Sequence, residues 1–85
     1  MVERVQTGVR MEKRLLKVLK ALGELYDLSL GDLLEGIVLH AFEGKPPFGE
    51  ESRRRIAGLK KIYSLDLDAS DSHRLVERPP AGGKR

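Results

Sequence analysis

The chain contains no cysteine. That absence excludes disulfides and thiolate zinc sites, and it suits a reducing interior. Its two histidines, His40 and His73, stand far apart, so a structural metal has no evident ligand set, and no cofactor is expected. No apolar run approaches the ~18–20 residues that cross a bilayer, and the opening MVERVQTGVR lacks the apolar stretch of a secretory signal. On these grounds the protein is expected to be soluble and cytoplasmic, with no membrane partner. Catalytic patterns are missing too. No Ser/His/Asp arrangement, glycine-rich phosphate loop or paired carboxylates stands out, so no enzyme is expected.

With 85 residues the sequence makes one small domain and a tail. Folding of so short a chain hides only about 60% of the surface exposed when unfolded, and such domains often need a staple or a partner. Disulfides and metals being excluded, oligomerisation is the expected source of extra stability. The net charge is only +3, but the charges are segregated. Residues 1–20 hold six basic and two acidic side chains, whereas residues 21–44 hold five acids and no Lys or Arg. Residues 45–64 return to six basic and two acidic, and residues 65–85 balance. A basic N-terminal end of this kind meets phosphates or is simply a solvated face, and charge counts alone do not choose.

The pattern along the chain changes period twice. Across residues 4–11, Val5, Thr7, Val9 and Met11 alternate with Arg4, Gln6, Gly8 and Arg10, which predicts a strand. From Glu12 the apolar spacing becomes helical: Leu15, Leu16, Leu19, Leu22, Leu25 and Tyr26 predict an amphipathic helix over 12–27. Glu12 suits the helix dipole, and Gly23 inside the helix points to close packing. A second helix is predicted to begin at SLGD, residues 29–32, with Ser29 as cap and Asp32 in a variant capping box. Leu33, Leu34, Ile37, Val38, Ala41 and Phe42 form its apolar stripe, and Gly44 is placed to end it. KPPFG, residues 45–49, breaks the chain before a third helix predicted over 50–63. Residues 64–77 carry little pattern, and RPPAGGKR, 78–85, reads as a disordered tail.

The predicted strand needs partners for its backbone groups, and no second strand-like run exists in the chain. Pairing with its own copy across a two-fold axis answers this, giving an antiparallel two-stranded ribbon. One ribbon face would then cover a core of four helices, and the other would present Gln6, Gly8 and Arg10 twice. A ribbon of this kind fits the major groove of DNA, where Arg bonds guanine and Gln bonds adenine. Gly8 has no side chain to read a base, but it lets the backbone approach closely. The N–H groups of Leu30 and Gly31, following Ser29, form a phosphate site at the start of the second helix. Phosphate contacts would position the protein and strand side chains would specify sequence.

Residues 5–42 resemble the ribbon-helix-helix family of DNA-binding proteins (the MetJ, Arc and CopG type). VQTGVRM matches the strand, EKRLLKVLKALGELYD the first helix, and LSLGDLLEGIVLHAF the turn and second helix. The resemblance implies a mostly α ribbon-helix-helix fold: an intertwined homodimer with an intermolecular two-stranded antiparallel β-ribbon, here with a C-terminal helical extension. It implies base contacts from Gln6, Gly8 and Arg10, phosphate contacts from Ser29, Leu30 and Gly31, and binding of operators by pairs of dimers. Two positions depart from the family: Gly8 replaces a polar reader, and the first helix lacks a Pro or Ser at its start.

The resulting expectation is a double-stranded DNA-binding homodimer that regulates transcription as a repressor. Residues 1–44 form its binding and dimerisation domain, and 45–77 an extension open to a protein partner. The expected dimer core is Val5, Thr7, Val9, Met11, Leu15, Leu19, Leu22, Leu34, Ile37 and Val38. Simpler readings stand beside this one: Arg10 as an arginine shielding apolar surface with its stem, Ser29 as a cap alone, and Lys13, Arg14, Lys17 and Lys20 as a solvated helix face. His40 is expected to be partly buried and structural, and His73 near Asp68 and Asp71 makes no convincing metal site. Two further functions remain open: an antitoxin with a toxin-binding C-terminal segment, and a dimeric adaptor that contacts protein instead of DNA.

Overall fold

A computed structural model describes residues 1–77. Three helices of 13 residues each follow one another, α1 (Lys13–Leu25), α2 (Leu30–Phe42) and α3 (Glu50–Ile62), before a short 3₁₀ turn at Ala69–Asp71. Helix α1 is the centre of the fold and packs against both of the others. Its start is fixed by Glu12, which acts as the N-cap itself: the carboxylate accepts the Leu15 N–H at 2.9 Å. Helix α2 starts on Ser29, whose hydroxyl accepts the Asp32 N–H at 3.1 Å. Helix α3 has Gly49 at its N-cap and no side-chain cap, but Glu50 and Glu51 lie in its first turn and Lys60 and Lys61 in its last, matching the helix dipole.

All three helices end in the same way. The chain turns through a left-handed residue (Asp27, Gly44 or Ser64), and the next N–H reaches back to a carbonyl five residues earlier. Those bonds run from Leu28 to Gly23, from Lys45 to His40 and from Leu65 to Lys60, at 2.8, 2.9 and 2.8 Å. After α1 the reversal is so tight that a Cβ on Gly23 would lie 2.9 Å from the Leu28 carbonyl oxygen. Glycine is required there by backbone, not by a neighbouring helix.

Helices α1 and α3 run antiparallel, as two clamps establish. At one end the Tyr26 and Ser52 hydroxyls are 2.7 Å apart; at the other, the Arg14 guanidinium donates to the Ser64 carbonyl at 2.8 Å and the Asp66 carboxylate at 3.0 Å. Between these clamps the buried apolar side chains among the described residues are few: Val18 and Leu22 of α1, Leu33 of α2, and Leu65 after α3. The core is therefore small, and much apolar surface is left outside it.

The expected β-ribbon is not present. Among the described residues there is no strand, and residues 1–12 form an arm without regular secondary structure that enters α1 directly. Strand period in the sequence is a property of side chains, whereas a strand also needs a neighbour for its backbone. No other described segment supplies one, and Gly8 at the middle of the stretch adds no packing of its own. Val5 and Val9, expected to close a core, are 78% and 71% exposed. The fold is thus three helices with an N-terminal arm. The tail expected over 78–85 lies outside the described residues.

Candidate nucleic-acid interface

The arm carries Gln6, Gly8 and Arg10, each exposed. Nothing lies within 4 Å of where a Cβ on Gly8 would sit. Arg4 holds the arm against α2: one of its terminal nitrogens donates to Asp32 at 2.6 Å and Glu35 at 2.7 Å. These acids raise the Arg4 pKa, the Glu35 hydrogen bond most and then that of Asp32. In return, the Arg4 hydrogen bond holds the Asp32 carboxyl below its ordinary range, helped by Ser29. The arm is thereby brought beside the first turns of α2, the place where Ser29, Leu30 and Gly31 lie.

At that helix start lie the residues expected to contact phosphate. The first N–H groups of a helix have no partner within it, and the Ser29 hydroxyl takes the N–H of Asp32. Those of Leu30 and Gly31 make no hydrogen bond within the described residues, and a Cβ on Gly31 would meet only the Ser29 hydroxyl, at 4.0 Å. Asp32 and Glu35 oppose an incoming phosphate, and the single Arg4 charge, shared between them, offsets only one of the two. Arg4 was not singled out as a site residue by the sequence. Its signal was there in a weak form: one cation at the start of the arm and five acids within 21–44.

Arg10 forms an ion pair with Glu77, a residue 67 positions away that no sequence pattern links to it. Gln6 makes no hydrogen bond within the described residues. Arg14 is bound to Glu12 at 2.9 Å as well as to Ser64 and Asp66, so it belongs to the fold and not to the solvated face. The Glu12 carboxyl is pushed up by burial, but the Leu15 N–H and then Arg14 outweigh that and hold it below its ordinary range. Lys13, Lys17 and Lys20 remain exposed along α1, Lys17 with its ammonium 6.0 Å from the centre of the Tyr63 ring. His40 is exposed, its Nδ1 2.7 Å from the Gly36 carbonyl, instead of partly buried as expected.

The residues expected to form the dimer core fall into three groups in the single chain. Leu22 is buried, and Met11, Leu19, Leu34 and Ile37 are half-buried. Val5, Thr7, Val9, Leu15 and Val38 are exposed. Beyond Val38, α2 also exposes Leu39 at 62% and Phe42 at 81%. No three His, Cys, Asp or Glu side chains among the described residues come together as metal ligands. No described helix is long and apolar enough to cross a membrane. Comparison with known proteins finds no matching family model, no matching curated protein and no matching solved structure.

Proposed function

We propose that this protein binds double-stranded DNA as a homodimer and regulates transcription, acting in the cytoplasm by binding and not by catalysis. One observation carries the reading: Arg4 tethers an exposed arm, bearing Gln6 and Arg10, beside the open N-terminus of α2. The arm supplies the two side-chain types that bond guanine and adenine edges in the major groove. The adjoining N–H groups of Leu30 and Gly31 supply phosphate contact. Self-association is supported by the small core and by apolar side chains left in water, Phe42 and Leu39 foremost.

Selection of duplexes from a random pool, followed by titration of the enriched sequence, tests the reading. A defined site should emerge, and log affinity should fall with log salt by about 0.9 per neutralised phosphate. Arg10→Ala should cost about 1–3 kcal/mol and relax preference at one base pair. An unenriched pool together with salt-independent binding would falsify it, and would leave a protein-contacting adaptor as the reading that uses the same exposed α2 residues. Sedimentation at micromolar concentration tests the dimer separately.

A further inference from the structure

The fold does not treat its cations alike. Arg4, Arg10, Arg14, Lys45 and Arg55 are held in ion pairs. Lys13, Lys17 and Lys20 of α1 are exposed, and none of them forms an ion pair among the described residues. Their spacing of four and then three residues sets them along one face of the helix, where neighbouring like charges repel. The nearby acids do not relieve them: Glu12 is taken up by Arg14 and the Leu15 N–H, and Glu24, one turn past Lys20, forms no ion pair. We propose, resting on the DNA reading, that this lysine stripe is the chain's main contact with the phosphate backbone of double-stranded DNA.

Spacing, continuity and the alternatives select that partner. From Lys13 to Lys20 the helix rises about 10.5 Å, and each strand of a duplex sets one phosphate about every 3.4 Å along its axis. With α1 lying along the duplex, its three ammonium groups therefore face three successive phosphates. Lysine suits that role, because its ammonium is a point charge that contacts phosphate without a fixed bidentate geometry. The stripe also continues the arm: Arg10 stands three residues before Lys13, so side chains that read bases and side chains that hold phosphates follow one another along the chain. The start of α2 is the weaker phosphate site, since that helix has no Lys or Arg and its Asp32 and Glu35 are met by Arg4 alone. A lipid surface fits less well. Basic helices enter it through an apolar face beside the cations, and Val18 and Leu22 of α1 are buried in the core.

The test follows binding of the full chain to a short labelled duplex of arbitrary sequence, by anisotropy between about 50 and 200 mM salt. Lys13→Gln, Lys17→Gln and Lys20→Gln together should make the fall of log affinity with log salt shallower by about 2.7 per bound chain, so that wild type loses roughly 40-fold more affinity than the variant over that range. Arginine at the same three positions should keep the wild-type slope, and circular dichroism checks that each variant is as helical as wild type. Arg53→Gln, Arg54→Gln and Lys61→Gln together remove three exposed cations of α3 that form no ion pair among the described residues, and should change the slope far less. A glutamine variant of α1 with the wild-type slope overturns the proposal. An α3 variant that loses as much overturns it too, because net charge would then explain the effect. Loss of binding to phosphatidylserine vesicles by the α1 variant, with duplex binding unchanged, assigns the stripe to lipid instead. Selection from the random pool judges the DNA reading separately. A site enriched by wild type and bound by the α1 variant with the wild-type slope removes the stripe alone, whereas lysine-dependent binding of arbitrary duplexes with no site enriched supports the stripe and removes sequence-specific regulation.

Discussion

Replacing glycine by alanine at Gly23 and at Gly58 should change stability in opposite directions. Both lie inside helices, where alanine is favoured over glycine by about 1 kcal/mol. At Gly58 a new methyl group meets nothing within 4 Å, so the full gain should appear. At Gly23 the methyl carbon would stand 2.9 Å from the Leu28 carbonyl oxygen. That oxygen belongs to backbone, and its residue is held by the 2.8 Å bond from the Leu28 N–H to the Gly23 carbonyl. Relieving the clash means opening the reversal that joins α1 to α2. A steric cost of about 1–3 kcal/mol set against the propensity gain leaves a net loss of about 1 kcal/mol. In a domain of this size 1 kcal/mol moves the melting temperature by about 4–8 °C. Thermal denaturation followed by circular dichroism should thus show Gly58→Ala melting several degrees above wild type and Gly23→Ala several degrees below it. A Gly23→Ala chain as stable as the Gly58→Ala chain would refute the close reversal and, with it, the placement of α2 against α1.

Ser29→Ala removes the hydroxyl that accepts the Asp32 N–H and should cost about 1 kcal/mol, measured by urea denaturation at neutral pH. Acid should destabilise the fold through Glu12, Asp32 and Asp68, whose folded pKa values all lie below their ordinary ones of 4.5, 3.8 and 3.8. Because the folded state binds these protons less readily, the contribution is complete above about pH 4.5 and is lost as pH falls through the lowered values. The urea midpoint should drop in that window, and Asp32→Asn should flatten the drop. Glu77→Gln frees Arg10 and should tighten DNA binding at low salt, by no more than about fivefold because the ion pair is exposed. Equal affinities for Glu77→Gln and wild type in an anisotropy titration would remove Glu77 from competition for Arg10.

The helices were legible because each announces itself locally. Leu15, Leu19 and Leu22 recur at helical spacing, Ser29 is a strong cap, and Gly44 stops α2 in the left-handed conformation the reversal needs. Asp27 and Ser64 hold that conformation without being glycine, so their reversals were not marked as stops. Glu12 was read for its charge, and its role as N-cap emerged only from the Leu15 N–H it accepts. The arm departs from expectation for a different reason: alternation states which faces of an extended chain are apolar and says nothing about whether a second backbone lies alongside. Contacts over long separations, Arg4 with Asp32 and Glu35 or Arg10 with Glu77, leave no motif, and for Arg4 only the segregation of charge along the chain hints at them.

That difference bears on where function can sit. Four apolar side chains are buried among the described residues, and two of them, Leu22 and Leu33, come from the helical patterns that the sequence declared. The arm adds nothing to this core, yet it is tied by Arg4 to acids at the start of α2. Residues 1–10 are all exposed, so their alternating polar side chains are open to recognition. Deleting residues 1–10 should therefore leave the three helices folded, with a melting temperature within a few degrees of wild type, while abolishing the selected-duplex binding proposed above. If the truncated chain unfolds instead, the arm is structural, and Gln6 and Arg10 lose their claim to be placed there for a ligand.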